Sequence, residues 1–474
     1  MISKSMARRA GTLSALAAAL MLGGCMSFIP KYERPAAPVA PAYAPELMPA
    51  VAASATAAAD IEWQRFFADP RLKRLIELSL HNNRDLRVAI LNIEAARAAY
   101  QIRRADELPS VGAGFTANRG VGSGGALVNT YAVGFQVTGY ELDFFGRVRS
   151  LSQAALSQYL ATEEARKTAQ IALVSGVATS YVSLLADDEL LRVTRDALKT
   201  REDSFRLTRL RFDNGASSEV DLRQAEQLLE TAKVALAQTQ RQKALDENAL
   251  TLLVGQPLPP DLPAPLTLGA QQGVTDLPAG LPSDLLTRRP DVLAAEQQLL
   301  AANANIGAAR AAFFPRISLT ANAGTASAEL SGLFKSGSFA LTGTAALLQP
   351  IFDAGRIQAN LDVAKVNKDI AIAQYEKAIQ TAFREVSDSL AGRATLGEQL
   401  RAQTAQSNAA QVSFRLADLR YRNGAASYLD VLDAQRSLFT AQQALVQVQA
   451  LQAQNLMTLY KVLGGGWSEP VKTN

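Results

Sequence analysis

The most restrictive feature of this 474-residue sequence is an internal duplication with a period of about 209 residues. The stretch FRLTRLRFDNGA at 205–216 recurs as FRLADLRYRNGA at 414–425, and Asp221 recurs as Asp430 at the same offset. Upstream the offset is 206, which places a small length difference between residues 110 and 142, where a loop would tolerate it. A period this long indicates one large unit used twice and excludes a solenoid of short stacked repeats.

Each copy of the repeat carries the same predicted order of elements: a helix, two strands, a very long helix, a turn and a returning helix. The leading helix begins at Asp69-Pro70, an acidic N-cap followed by proline, and runs to about Ala105. Strict alternation of apolar and polar residues predicts two strands in each copy. They span residues 109–119 and 130–142 in the first copy and residues 316–326 and 339–348 in the second. Each is about ten residues long, the length of a tilted strand that crosses a bilayer.

Two long helical stretches are predicted over residues 144–212 and 353–422. At 1.5 Å per residue each helix extends for about 100 Å, roughly three times the thickness of the hydrocarbon core of a membrane. The Asn-Gly pairs at 214–215 and 423–424 tolerate left-handed backbone, so each long helix is expected to end there and reverse. The predicted fold class is therefore mixed α and β, mostly α, with helices that project far from the bilayer.

The sequence order divides the chain into two repeats and their connections. The first repeat occupies residues 61–255 and the second residues 284–467. An irregular, proline-rich connector at 256–283 joins them, and a short tail follows at 468–474.

The first 24 residues have the features of a secretory signal peptide: a basic start and an apolar run too short to span a bilayer. The run ends in Leu-Gly-Gly-Cys, which resembles a bacterial lipobox, so Cys25 is predicted to carry lipid after cleavage. Met26, rather than an aspartate, follows the cysteine, which fits sorting to the outer membrane. An ordinary signal with an incidental cysteine is the alternative. Residues 25–60 are rich in proline and alanine and predict an extended tether.

The composition excludes most metal, redox and nucleic-acid chemistry. One Cys and one His give neither a disulfide nor a zinc site within the chain. The formal net charge is +4, and three cations lie in the predicted signal, so the mature chain is nearly neutral and no nucleic-acid partner is expected. The glycine pattern at 120–125 fits a dinucleotide fingerprint, but it lies between two predicted strands and indicates a hairpin loop. No cofactor and no enzymatic activity are expected.

The four membrane-length strands of one chain are too few to close into a barrel. Only a closed barrel leaves no unpaired edge in lipid, so the chain is expected to oligomerise. Two chains would give about eight strands, whose interior side chains fill, whereas three would give about 12 and leave a lumen. The strand count alone leaves four chains open.

Five motifs give the chain a resemblance that covers nearly the whole mature sequence. They are WQRF with Asp69-Pro70, LLTRRPDVLAAE at 285–296, FFP at 313–315, LGGGW at 463–467, and YRNG at 421–424 continuing into LDVLDAQRSL. Together they resemble the TolC/OprM type of outer membrane efflux duct, in its lipoprotein branch. The resemblance implies a homotrimer with a 12-stranded β-barrel in the outer membrane of a Gram-negative cell and a 12-helix barrel across the periplasm.

The same resemblance implies a passive exit for small toxic compounds or drugs. The expected partners are a periplasmic adaptor, an inner-membrane efflux pump and the lipid of the outer membrane. A duct for secreted proteins is the first alternative. A structural coiled-coil lipoprotein is the second, but a spacer has no need of four lipid-length strands.

In this family the helix ends at the periplasmic tip close the tunnel. The matching positions here are Leu429, Asp430 and Asp433, with Tyr421 and Arg436 as latch partners. Asp430 and Asp433 lie on one helical face, so threefold symmetry would gather them into stacked carboxylate rings. The alternative is that they are exposed charges on a coiled coil.

The first repeat lacks the complete set of gate residues. Asp221 matches Asp430, but Gln224 stands in place of Asp433 and Gln227 in place of Arg436. In a trimer, a gate built on these residues would therefore contain three complete sets, one from the second hairpin of each chain.

The two turns between long helices are the predicted contact points for the adaptor. Their residues are Asn214 and Gly215 in the first repeat and Asn423 and Gly424 in the second. The alternative, given equal weight, is that these residues only form the turns and contact no adaptor.

Overall fold

The computed structural model describes residues 27–44, 58–121, 123–271, 277 and 282–467. Cys25 lies outside the described residues. The helices are α1 (Trp63–Phe66), α2 (Pro70–Asn82), α3 (Arg84–Ala105), α4 (Arg147–Asp213), α5 (Glu219–Val254), α6 (Pro282–Arg288), α7 (Pro290–Ala311), α8 (Arg356–Arg422) and α9 (Tyr428–Val462). The strands are β1 (Val111–Val121), β2 (Leu127–Glu141), β3 (Arg316–Ser327) and β4 (Phe339–Leu348).

The leading helix of the first repeat is broken at Asn83, whereas the sequence predicts one helix to Ala105. Asn83 has extended backbone, accepts a hydrogen bond from the Leu86 amide at 2.9 Å, and donates to the Leu253 carbonyl at 3.0 Å. A Cβ on Gly255 would lie 2.5 Å from the Asn82 carbonyl oxygen. The close approach of the end of α5 therefore fixes the break, and α3 starts anew with Asn83 as its cap.

Glycines displace the predicted starts of the long helices. Gly146 and Gly355 have φ of 70° and 83°, so α4 and α8 begin immediately after them and not at residues 144 and 353. Both helices are 67 residues long, and α5 and α9 return over 36 and 35 residues. Among the described residues, only α4 contains a window long and apolar enough to cross a membrane, and 61% of that window is buried, as in a packed helix.

The four strands form one antiparallel sheet in the order β1-β2-β3-β4. The hairpin of the first repeat is tighter than predicted, because Val121 pairs with Leu127, whereas the prediction ended the first strand at 119. Phe135 pairs with Ala323 across the β2–β3 contact, which joins the hairpins of the two repeats. Within the described chain, β1 and β4 each have one edge without a partner strand. The sheet is therefore open at both sides.

Contact density divides the chain into two compact units that do not coincide with the two repeats. The first combines the segment up to Ala36 with Asn92–Glu163 and Ala294–Lys377, and contains the whole sheet. The second combines Ala37–Leu91 with Glu164–Leu293 and the segment from Ala378 onward. Each unit thus takes segments from both copies of the repeat.

In the first unit, the described N-terminal segment packs along α7. The Arg34 guanidinium contacts both carboxylate oxygens of Glu296 at 2.8 and 2.9 Å, and the Tyr32 hydroxyl donates to the same carboxylate at 2.9 Å. The Asn303 amide donates to the Pro30 carbonyl at 2.8 Å. The proline-rich tether is thus fixed to the helix over this part of its length.

In the second unit, the Asp69 carboxylate joins three segments. It caps α2 by accepting from two amides of the first turn. It also accepts from the Tyr181 hydroxyl at 2.9 Å, the Leu266 amide at 3.0 Å and the Gln271 side chain at 2.8 Å. Burial, and then the nearby Asp69 carboxylate, raises the pKa of Tyr181, so its hydroxyl remains a donor. Asp69 is 1% exposed and therefore depends on these donors.

A pair of carboxyl groups joins α4 to α5 in the same unit. Asp187 is buried, and the Asp246 carboxyl group lies close to it. The adjacent Asp188 forms an ion pair with Lys243 at 2.5 Å. Burial, then the hydrogen bond and charge of Asp246, raises the pKa of Asp187 to about 7. The pair therefore holds a proton at pH values where an exposed aspartate is ionised.

We expect Asp187 to make the stability of the second unit pH-dependent. The folded pKa is raised above the unfolded value of 3.8, so the folded state binds more protons, and stability falls as the pH rises from 3.8 to about 7. Asp187→Asn should reduce this slope and raise the thermal midpoint at the alkaline end. Melting curves by circular dichroism across this pH range measure the effect. Asp188→Asn is the matched control and should keep most of the slope, because the charge of Asp188 raises the pKa of Asp187 less than burial and Asp246 do. An unchanged slope in Asp187→Asn would contradict the prediction.

Candidate functional site

The long helices form two hairpins that end in the same kind of turn. Gly215 and Gly424 have φ of 72° and 69°, and the following amide closes each turn at 2.7 and 2.8 Å. Asn214 and Asn423 each donate a side-chain hydrogen bond at 2.7 Å to a carbonyl four residues earlier. All four residues are exposed. The predicted contact residues thus first serve to end the helices.

A capping box begins the returning helix of each hairpin. Asp430 accepts from the Ser427 amide at 3.0 Å, and its own amide donates to the Ser427 hydroxyl at 3.3 Å. Asp221 and Ser218 make the same pair of bonds at 3.2 and 3.1 Å. The recurrence of this aspartate in both repeats therefore has a structural cause. The acid that distinguishes the second hairpin is Asp433.

All the predicted gate residues except Tyr421 lie near the start of α9. Leu429 is 56% exposed, and Asp433 and Arg436 are also exposed, while Val431 and Leu432 between them are buried. Four of the five predicted gate residues line an open groove of about 1010 Å³ between α8 and α9: Leu429, Asp430, Asp433 and Arg436. The structure therefore brings these four together at the hairpin end.

Tyr421 has a different partner from the ones that the sequence suggests. The Arg211 guanidinium lies over its ring, 4.8 Å from the centroid, and donates a hydrogen bond to its hydroxyl. The Tyr428 ring is 5.2 Å away. Tyr421 thus fastens the end of α4 to the end of α8 within one chain. Arg211 is not among the predicted gate residues; its equivalence to Arg420, the neighbour of Tyr421 in the duplicated hairpins, was the available signal.

Arg436 makes no ion pair within the part of the chain that the structure describes. Its charged neighbour is Arg201, which is 4% exposed, donates to the Leu228 carbonyl at 3.1 Å and lies 5.0 Å over the Phe439 ring. Burial, and then the positive charge of Arg436, lowers the pKa of Arg201. The two guanidinium groups repel each other, so this part of the hairpin favours the approach of negative charge.

Comparison with known proteins gives consistent matches along the chain. The family described as outer membrane efflux proteins matches residues 75–256 and 281–465, which correspond to the two repeats. The toluene efflux pump outer membrane protein TtgC and the antibiotic efflux pump outer membrane protein ArpC, both of Pseudomonas putida, are each 49% identical over 471 residues. The match covers 96% of this chain and 96% of each relative.

A solved structure gives the corresponding match in three dimensions. The open state of the MtrE outer membrane channel of Neisseria gonorrhoeae superposes with a TM-score of 0.85 at 42% identity. It covers 93% of this chain and 99% of that chain.

Proposed function

The chain belongs to the outer membrane efflux protein family, and we propose from this premise that it carries small toxic organic compounds to the exterior. The predicted resemblance, fold class and outer membrane location are confirmed, as is the role of exit duct in a tripartite efflux system. Two relatives are named for toluene and for antibiotics, which supports a small-molecule cargo. The single observation that carries the function is the match to efflux proteins and to a channel along almost the whole chain.

The proposed assembly is a homotrimer. The sheet has four strands and two unpaired edges in one described chain, and lipid tolerates neither edge. Three copies joined edge to edge give about 12 strands and a lumen, as predicted. Lipidation of Cys25, outside the described residues, would anchor the assembly further.

The proposed partners at the hairpin ends are the periplasmic adaptor and, through it, the inner-membrane pump. Exposed leucines flank both turns at equivalent positions: Leu207, Leu210, Leu416 and Leu419. Exposed apolar side chains beside exposed turns suit a protein contact. Asn214, Gly215, Asn423 and Gly424 lie in the turns themselves and form the proposed centre of these surfaces.

The proposed gate consists of the second hairpins of three chains. Leu429, Asp430 and Asp433 supply the closing face, and Arg436 with buried Arg201 offers positive charge to a carboxylate of a neighbouring copy. The Arg211–Tyr421 contact supports the gate by holding the two hairpins of one chain together. Asp430 has the additional role of capping α9.

Expression of the chain should restore tolerance of toluene and antibiotics to a host that has a matching pump and adaptor but lacks an outer membrane duct. The purified full chain should run in SDS as an oligomer that dissociates only on heating. An SDS-resistant oligomer that fails to restore tolerance but secretes a protein would favour the alternative duct. A chain that forms no such oligomer and passes no current would favour a coiled-coil spacer.

A further inference from the structure

The strand register sorts the sheet into two faces of different chemistry. Phe115 pairs with Val133, and Phe135 pairs with Ala323, which in turn pairs with Leu341. These side chains share one face, and the large ones among them are exposed in the single chain. In a membrane barrel the apolar face meets lipid, so the opposite face lines the water-filled interior. This assignment rests on the proposed function.

Most side chains on the opposite face are small or polar, and most of the face carries no charged residue. Its uncharged residues are Gly112, Gly114, Thr116, Asn118 and Gly120 on β1, Val128, Thr130, Ala132, Gly134 and Gln136 on β2, Ser318, Thr320, Asn322, Gly324 and Ala326 on β3, and Ala340, Thr342, Thr344, Ala346 and Leu348 on β4. The charged residues of this face lie where β2 ends and β3 begins. There Arg316, and Arg147 at the start of α4, contact Glu141 at 2.6 and 2.7 Å. Two guanidinium groups thus share one carboxylate, which leaves an excess of positive charge at this end of the sheet.

A row of glycines crosses this face at one level. Gly114 pairs with Gly134, Gly134 with Gly324, and Gly324 with Ala340. A Cβ on Gly134 would lie 2.4 Å from the Ala323 carbonyl oxygen, so no side chain fits there without moving the backbone. A concavity of about 340 Å³ lies over the row. Glycine is therefore required where β2 and β3 approach, and the interior gains width at this level.

We propose that this face forms a neutral collar, which passes solutes without selecting for charge and so admits uncharged organic molecules as readily as ions. A lining with one sign of charge would concentrate solutes of the opposite sign and hinder the rest. The collar has no such charge, and its glycine row leaves few side chains to hold a passing molecule. Any charge preference of the duct therefore arises outside the collar, either at the end of the sheet where Arg316 and Arg147 bind Glu141 or in the helical part, where Asp433 lies.

The test measures the local potential with single cysteines. Gly114→Cys places a thiol on the collar, where the new Cβ would lie 3.2 Å from the mobile end of the Gln136 side chain. Ala113→Cys, the adjacent residue on the lipid face, is the matched control, and the parent chain controls for Cys25. Thr116→Cys, on the collar one step along β1, repeats the measurement without altering a glycine. Cationic and anionic methanethiosulfonate reagents are added from outside to membranes that contain the SDS-resistant oligomer.

We expect both reagents to modify the two collar thiols, with rates that differ by no more than about twofold after correction for a free thiol, and to leave Ala113→Cys unmodified. A preference of about tenfold for either charge would overturn the neutral collar. So would modification of Ala113→Cys in place of the collar thiols, or collar thiols that neither reagent reaches. Failure of the proposed function is distinguishable, because it appears as loss of the oligomer or of restored tolerance in the unmodified chain.

Discussion

Replacing Asp433 with alanine is expected to increase the single-channel conductance of the purified oligomer several-fold and to reduce its preference for cations. Asp433 is exposed beside Arg436 on α9, where threefold symmetry would bring three copies of this acid to the axis. Carboxylates so gathered attract cations, and each needs a cationic partner to remain in the closed arrangement. Without Asp433 the closed tip loses both its charge and its latch. Planar-bilayer recordings on the lipidated full chain measure the change.

The duplication supplies a matched control for this experiment. Gln224 occupies the position equivalent to Asp433 in the first hairpin, so Gln224→Ala should leave the conductance unchanged. Asp430→Ala is a poorer probe, because it also removes the N3 carboxylate of the capping box and leaves the Ser427 amide without its acceptor. Arg436→Ala should act like Asp433→Ala. Wild-type currents in both of these variants would exclude the predicted latch.

The second large effect is expected from Asp69→Ala, which should lower the free energy of unfolding of the second unit by roughly 3–5 kcal/mol. The substitution leaves Tyr181, Leu266 and Gln271 without the acceptor that they share and removes the cap of α2. A buried donor without an acceptor has lost its hydrogen bonds to water without forming one in the protein, which lowers the stability of the folded state. Denaturant unfolding of the detergent-solubilised chain, followed by circular dichroism, gives the difference in the free energy of unfolding.

Asp60→Ala provides the comparison, because Asp60 forms an exposed ion pair with Arg288 at 3.0 Å and should contribute less than about 1 kcal/mol. Asp69→Asn tests whether the charge matters beyond the shape of the side chain. If Asp69→Ala unfolds at the same denaturant concentration as Asp60→Ala, the assigned role of Asp69 is wrong.

The long helices and the strands could be predicted because their signals are local. Periodicity and the Asn-Gly turns specify α4, α8 and the reversals without information from elsewhere in the chain. Even the capping role of Asp430 was available from its spacing to Ser427, since a serine followed three residues later by an acid resembles a capping box.

The misplaced features depend on contacts between distant segments. The break at Asn83 follows from a hydrogen bond to Leu253, which no pattern near Asn83 reveals. Likewise, Tyr421 binds Arg211 because the ends of α4 and α8 lie side by side. The resemblance implies Tyr421 and Arg436 as latch partners of the acidic residues, and it gives no sign of the contact with Arg211. Pairing across about 200 residues requires the packing of both hairpins to be known.

The open edges of the sheet also govern how such a protein is made. A newly translocated chain displays the unpaired backbone groups of β1 and β4 and an apolar strand face, so it cannot enter hydrocarbon alone. Until it meets other copies, each exposed edge is prone to pair with any other exposed strand. In the proposed homotrimer, maturation therefore depends more steeply than linearly on the rate of synthesis.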